Sequence, residues 1–162
     1  MRYFLVTNPE VCTGCKICTL SCSLSHEGVC NPALARIHVM KFPEKGLDVP
    51  LICRQCEKPP CASTCPEKAI VRNSETGAWL IDEEKCIGCR KCMEDCPFGV
   101  ITVHPETMKI LKCDLCQGDP QCIKLCETKA LQYLPAIALT YDKKREWAKK
   151  EMEERDYGWL GR

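Results

Sequence analysis

Cys86-Ile-Gly-Cys89-Arg-Lys-Cys92-Met-Glu-Asp-Cys96-Pro97 decides how this chain is read, because four thiols fall within eleven residues at fixed intervals, C-x2-C-x2-C-x3-C. Upstream, Cys12, Cys15, Cys18 and Cys22 repeat that spacing. Between the two lies a variant with a wider middle gap, Cys53, Cys56, Cys61 and Cys65, and a second variant, Cys113, Cys116, Cys122 and Cys126, follows. Four groups of four use sixteen of the 17 cysteines and leave only Cys30. The opening residues carry an apolar patch too short for a secretory leader, so the thiols are expected to be reduced in a cytoplasmic protein and to serve metal rather than disulfides. The interval then selects the metal. Three thiolates two residues apart wrap one corner of an iron–sulfur cube, and the fourth is expected at the start of a helix that leaves the loop and reaches a neighbouring cube. Zinc wants four ligands around one ion, usually from two Cys-x2-Cys knuckles a dozen or more residues apart. Each loop here has one cysteine too many for that scheme. Spacing fixes the membership of each loop but leaves open which loop each fourth cysteine serves.

The first and third groups resemble the bacterial ferredoxin motif, the third carrying its proline, Pro97, and a glycine, Gly88, inside the first gap. The widened groups, with Pro59, Pro60 and Pro120 ahead of their third cysteines, look like the four-cluster electron-transfer subunits of molybdenum and tungsten pterin oxidoreductases. The resemblance covers about residues 1–135. Within it, Cys22 to Gly28, Asn31-Pro32 and Arg36-Ile37 look most like the small subunits found with tungsten aldehyde oxidoreductases. That family nests its groups, one with four and two with three. The resemblance therefore implies four 4Fe-4S clusters, one each on Cys12, Cys15, Cys18 and Cys126; on Cys113, Cys116, Cys122 and Cys22; on Cys53, Cys56, Cys61 and Cys96; and on Cys86, Cys89, Cys92 and Cys65. One departure stands out: Cys22 and Cys126 are followed by Ser23 and Glu127 where the motif has proline.

The groups form an internal repeat. Cys65 to Ile70, Cys96 to Ile101 and Cys126 to Leu131 each end in a small or apolar residue and an aliphatic one, which reads as a helical turn entering a strand. Hairpin signals follow: Ile70-Val71, a turn over Asn73 to Gly77, and Trp79 to Ile81; then Val100 to Val103, a turn over His104 to Thr107, and Lys109 to Leu111. A longer hairpin runs from Ala35 to Phe42, turns at Pro43 to Gly46 and returns through Val49 to Ile52. The expected fold is α+β, two packed ferredoxin-like halves over residues 1–135, units one and four in one half, two and three in the other. Residues 136–162 form a separate tail. There Glu146/Lys150, Lys149/Glu153 and Glu151/Arg155 at i, i+4 read as a solvated helix from about Asp142 to Asp156, stopped near Gly158. Trp147, Tyr157, Trp159 and Leu160 offer two readings, an exposed end or an anchor on another subunit.

Composition narrows the function. Without its cysteines the apolar fraction falls from 45% to about 35%, a thin core for this length, so metal–thiolate bonds are expected to substitute for buried side chains. No apolar run approaches the roughly 20 residues of a membrane span. The formal charge of +1, with bases scattered among acids, argues against nucleic acid. Four cubes at about −2 each would make the loaded protein acidic, suited to a basic face on a partner. Neither a nucleophile triad nor a glycine-rich phosphate loop is present, so no catalytic residue is expected.

The expected role is an electron-transfer subunit working between a catalytic subunit, of the tungsten or molybdenum pterin type by resemblance, and an external carrier such as a ferredoxin or flavoprotein. A hydrogenase, formate dehydrogenase or carbon monoxide dehydrogenase partner, a free polyferredoxin, and a zinc-bound interaction module are the alternatives. His26 reads either as a structural histidine or as a donor to a cluster sulfur. Cys30 is expected to be a small buried hydrophobe rather than a ligand. Lys16, Arg90 and Lys91 inside the loops either tune a cluster or are simply solvated. Asp82 to Glu84 read as a turn surface.

Overall fold

The computed structural model describes residues 3–135 together with 137, 138, 144 and 145. Trp147, Tyr157, Trp159, Leu160 and nearly all of the expected tail helix lie outside the described residues. Three two-stranded antiparallel hairpins carry the chain from one cysteine loop to the next, and a fourth ribbon joins the ends of the described core. In chain order the elements are β1 (Tyr3–Thr7), α1 (Ile17–Glu27), β2 (Ile37–Phe42), β3 (Leu47–Ile52), α2 (Pro60–Ser63), β4 (Ile70–Arg72), β5 (Trp79–Ile81), α3 (Lys91–Glu94), β6 (Thr102–Val103), β7 (Ile110–Leu111), α4 (Gln121–Lys124) and β8 (Leu131–Pro135). The fold is thus a small α+β assembly of short hairpins and short helices, as the repeat implies.

Three hairpins follow from local chemistry. Between β4 and β5, Asn73 Oδ1 accepts from the N–H groups of Glu75 and Thr76, an Asx turn that needs no help from the core. Between β6 and β7, the His104 ring takes the same part toward Glu106 and Thr107. Between β2 and β3, Pro43–Lys45 form one 3-10 turn that Gly46 ends in the left-handed region at φ 59°. The register there runs from Ile37 opposite Ile52 to Phe42 opposite Leu47. The fourth ribbon is not local. β1 pairs with β8, Tyr3 opposite Pro135 and Thr7 opposite Leu131, joining the two ends of the described core. That pairing is invisible to hairpin signals because more than a hundred residues separate its strands.

The helices correct one expectation. The third cysteine of each group lies in the helix, Cys18, Cys61, Cys92 and Cys122 in α1, α2, α3 and α4, and of the fourth cysteines Cys22 alone is helical, well inside α1 rather than at its start. The fourth follows one turn later, so the chain wraps its loop and enters the helix in a single motion. In the second and third groups a proline, Pro66 or Pro97, comes next, and α2 and α3 have already ended after one turn. Ser23 in that place lets α1 run on past Cys22 for eleven residues in all, until Gly28 stops it at φ 73° with its N–H on the Leu24 carbonyl.

Two clusters of buried residues make the core. The larger joins Leu5, Ala35, Ile37, Ile52, Val100, Leu115 and Leu131 with Cys22, Cys53, Cys113 and Cys122; the smaller joins Ile70 and Ile101 with Cys61 and Cys92. The repeated endings after the fourth cysteines are its wedges, since Ala69, Val100 and Ala130 are all buried. Cysteines are therefore core residues here, not decoration on a separate core. α1 packs against α4, and α2 against α3.

Candidate metal centres

The loops are shaped by backbone that ordinarily avoids positive φ. In the first group Gly14 and Lys16 stand at φ 63° and 60°; in the third, Gly88 and Arg90 stand at 68° and 65°. The widened groups use Gln55, at φ 47°, and the run Leu115, Cys116 and Gln117, at 60°, 45° and 56°. Alternating right- and left-handed residues point successive N–H groups into one concavity, a nest for negative charge. After the fourth cysteine the same device recurs three positions on, at Lys68, Gly99 and Lys129. Behind Lys68, the Ala69 N–H donates to Cys65 Sγ at 3.3 Å. Cys22 sits inside a continuous helix and lacks that turn; the Arg36 N–H, from beyond the helix, donates to its Sγ at 3.3 Å instead.

These loops bring the cysteines together in sets drawn from two groups. Cys12, Cys15, Cys18 and Cys126 line a cavity together with Val39, Pro50 and Leu131. Cys22, Cys113, Cys116 and Cys122 line a second with Leu5, Ile37 and Ile52. Cys65, Cys86, Cys89 and Cys92 line another with Ile70, Ile81 and Ile110. Cys61 lies within electrostatic reach of Cys53 and Cys96, and Cys56 closes the turn that begins at Cys53, its carbonyl accepting from the Trp79 indole N–H at 2.9 Å. We refer to these as the first, second, fourth and third sets. The donor chemistry suits iron–sulfur clusters: thiols converge on mainly apolar walls, with nests of N–H groups around them.

Burial makes the thiols poor acids on their own. It raises the Cys18, Cys61 and Cys113 thiols, pushes Cys92 up to about 11, and raises Cys122. Neighbouring sulfurs add to the effect, so four thiolates in one such pocket need a cation among them. The same influences show which sets adjoin. Cys122 of the second set responds to Cys18 of the first; Cys113 of the second responds to Cys53 of the third; Cys92 of the fourth responds to Cys61 of the third. The neighbouring pairs are thus first with second, second with third, and third with fourth. Cys15 and Cys89, at the two ends, are exposed, whereas Cys113, Cys122, Cys53 and Cys61 in the middle are buried.

His26 bridges α1 to the last loop. Its Nδ1–H donates to the Cys22 carbonyl at 2.8 Å and its Nε2–H to Asp114 Oδ1 at 3.0 Å; the same oxygen accepts from the Cys116 N–H. Asp114, with the Cys116 and Cys22 sulfurs, pushes the imidazole up to about 12 against the effect of burial. On Asp114 burial works upward, but the His26 and Cys116 hydrogen bonds outweigh it and hold the carboxyl below its usual range. His26, Asp114 and Cys116 present ligand atoms within 4.8 Å of one another, on the wall of the second cavity. The ring ties two loops together, and its Nδ1 also lies 3.9 Å from Cys22 Sγ, so the geometry accommodates both readings of this histidine.

Cys30 corrects a second expectation. It is exposed, because it lies in the surface loop between the Gly28 helix stop and the Asn31-capped turn, and it lines none of the three cavities. Lys16, Arg90 and Lys91 are exposed and fit the solvated reading. Asp82 caps its turn through the Glu84 N–H, and Glu83 pairs with Lys109 at 2.6 Å, as a turn surface should. Residues that spacing did not single out are Gln55, Trp79 and Lys112. Lys112 is only 5% exposed, a rare state for a lysine. Its place directly before Cys113 was the available signal, but β7 is too short for strand alternation to show which way it points.

The comparisons agree with this geometry. Residues 45–135 match the family described as 4Fe-4S dicluster domain, and residues 9–25 match a 4Fe-4S binding domain. The polyferredoxin-like subunit of an aliphatic sulfonate oxidoreductase from Pyrococcus furiosus is 37% identical over 141 residues, covering 86% of this chain and 80% of that protein. The putative electron transport protein YsaA of Escherichia coli is 37% identical over 144 residues, covering 82% and 89%. Among solved structures, the active-site complex BamBC of benzoyl coenzyme A reductase shares the fold, with a TM-score of 0.50 and 23% identity over 95% of this chain and 90% of the matched one. Among the described residues no helix is long and apolar enough to cross a membrane. On the loops, the cysteine-lined cavities and these likenesses together, the chain belongs to the 4Fe-4S dicluster family of ferredoxin-like electron-transfer subunits, non-catalytic partners in oxidoreductase systems.

Proposed function

We propose that all sixteen group cysteines act as ligands and that residues 1–135 form a four-centre relay, with two nested halves made of groups one plus four and two plus three. The first set would hold one 4Fe-4S cluster on Cys12, Cys15, Cys18 and Cys126. The second would use Cys22, Cys113, Cys116 and Cys122; the third Cys53, Cys56, Cys61 and Cys96; the fourth Cys65, Cys86, Cys89 and Cys92. Each cluster supplies a one-electron couple whose charge spreads over four irons. The observation that carries this reading is the order of the sets: buried in the middle, open to solvent through Cys15 and Cys89 at the ends. The chain's own residues fix the sulfurs, exclude water from the middle sets, and leave two faces where partners can approach.

One partner in this reading is a catalytic oxidoreductase subunit of the tungsten or molybdenum pterin type, the other an external carrier such as a ferredoxin or flavoprotein, in the reducing cytoplasm. The Pyrococcus furiosus relative supports a subunit role, being named as one part of an oxidoreductase. The segment that resembles tungsten aldehyde oxidoreductase small subunits also has a task here. Arg36 donates to Cys22, pairs with Glu27 at 2.9 Å, and follows a turn that Ser23 Oγ holds by accepting from the Asn31 N–H.

Affinity purification from native anaerobic extract, with metal analysis of the chain and of what comes with it, tests both levels. About sixteen irons per chain and tungsten or molybdenum in the co-purifying large subunit are the expected result. Fewer than about twelve irons after oxygen-free handling overturns the four-cluster reading. Nickel in the partner moves it to the hydrogenase or carbon monoxide dehydrogenase class.

A further inference from the structure

The first and second sets are joined through α1 and α4, the third and fourth through α2 and α3. Among the described residues no helix spans the second and third. What lies there is a buried network. Lys112 Nζ donates to the Trp79 carbonyl at 2.6 Å, to the Cys113 carbonyl at 3.2 Å and, less closely, to Gln55 Oε1 at 3.5 Å. Gln55 Nε2 donates to the same Cys113 carbonyl at 2.8 Å, and the Trp79 N–H donates to Gln55 Oε1 at 2.9 Å. All three contacts of Nζ are acceptors. Only the ammonium form has three N–H donors and no lone pair, so the network is built for the charged side chain. Gln55 belongs to the loop of the third set and Cys113 to that of the second, and the lysine charge acts on Cys61 of the third as well as on Cys113.

A buried ammonium tied to three neutral acceptors, an amide oxygen and two backbone carbonyls, contributes a field that water does not screen. Such a field favours whichever state of a neighbouring centre is the more negative, which for an iron–sulfur centre is the reduced one. We propose that Lys112 is an electrostatic coupling residue, a fixed positive charge between the second and third cysteine sets that raises the reduction potentials of these two centres relative to the outer pair. This rests on the four-centre reading and adds to it that the junction between the halves is favoured ground for the electron rather than a barrier.

The test is a potentiometric titration of the intact iron-loaded chain followed by electron paramagnetic resonance, in wild type, Lys112→Gln, Lys112→Arg and Gln55→Glu. Lys112→Gln keeps a donor and removes the charge. It should disfavour reduction of two of the centres about tenfold, a fall of about 59 mV for one electron, and leave the other two in place. Lys112→Arg should restore the wild-type values. Gln55→Glu keeps the lysine and sets a carboxylate beside it, giving up the Nε2 donor to the Cys113 carbonyl, so it should lower the same two potentials; this variant decides if Lys112→Gln takes up less iron. No shift in either variant, an equal shift in all four centres, or failure of arginine to restore the values overturns the proposal. The wild-type iron content and number of centres are read in the same samples, so a failure of the four-centre reading appears there, separately from any effect of Lys112.

Discussion

The outer and middle gaps of the molecule are bridged by different physics. In the outer gaps, two cysteines of a C-x3-C pair stand one helical turn apart, about 5–6 Å between Cβ atoms on a regular helix, and face different sets. Cys18 and Cys22 do this on α1, Cys61 and Cys65 at α2, Cys92 and Cys96 at α3, and Cys122 and Cys126 at α4. Distance there is set by a short local stretch of chain. Across the middle gap no C-x3-C pair among the described residues supplies both sides. Gln55, Trp79 and Lys112 hold it by hydrogen bonds between segments more than twenty residues apart, over a shared core of Cys53, Cys113, Ala78 and Leu115. A helical turn sets spacing only. A hydrogen-bonded ammonium sets spacing and potential together, which is what the contrast teaches.

Removing the metal breaks both kinds of bridge and should have the largest effect. The core clusters contain six of the cysteines themselves, and without iron these become thiols facing a void. Anaerobic chelation of the iron is expected to abolish most of the native circular dichroism, since metal binding and folding are one equilibrium in such small domains. A chelated sample that keeps its spectrum would mean that the middle network and hairpins stand alone.

The nest of outer bridges is broken next by Cys96→Ser. Cys96 follows α3, inside the group that supplies the fourth set, yet it acts on Cys61 of the third. The variant should lose or alter the third centre, removing up to about four irons per chain, while the signal of the fourth remains. Loss of the fourth instead would show that each group serves a single cluster and would remove the helical bridge altogether.

Much of this was legible in the cysteine intervals, and the reason is physical. A C-x2-C loop and a C-x3-C turn are local, so spacing dictates their shape, and the hairpin turns at Asn73 and Pro43 are local in the same way. The antiparallel match of β1 with β8 was not legible, nor was the eleven-residue length of α1: Ser23 in place of proline permits it, yet Glu127 in the same place leaves α4 at one turn. Cys30 was misplaced because a lone cysteine's usual preference for burial says nothing about a loop between two caps. The middle junction was the least visible part. Gln55, Trp79 and Lys112 carry no shared interval, and only the fold brings them together.

Within the loops, Gly14→Ala and Gly88→Ala separate backbone strain from crowding. Both glycines have positive φ, so alanine at either costs about 1–2 kcal/mol. At Gly88 a methyl group meets nothing within 4 Å, and that strain is the whole effect. At Gly14 it runs into the carboxylate of Asp48, which also faces Lys41 at 3.8 Å, so the side chain must move as well. The guanidinium unfolding midpoint of the iron-loaded protein should fall further for Gly14→Ala than for Gly88→Ala; equal falls would show that Asp48 yields freely.

The smallest effect is expected at the middle junction itself, from Trp79→Phe. The change keeps a ring beneath Arg72, whose guanidinium lies 5.9 Å from the indole centroid, and removes the N–H that donates to the Cys56 carbonyl together with part of the ring's packing on the smaller core cluster. Trp79 is partly exposed, so water can reach part of the site, and the loss should be about 1 kcal/mol of stability. The backbone N–H and carbonyl of residue 79, which serve Gln55 and Lys112, are untouched by the substitution. The four reduction potentials should therefore stay where they are while the unfolding midpoint drops slightly, the reverse of the pattern expected for Lys112→Gln. A potential shift in Trp79→Phe as large as that in Lys112→Gln would show that the junction responds to any disturbance of its packing, and that charge is not what distinguishes it from the helical bridges on either side.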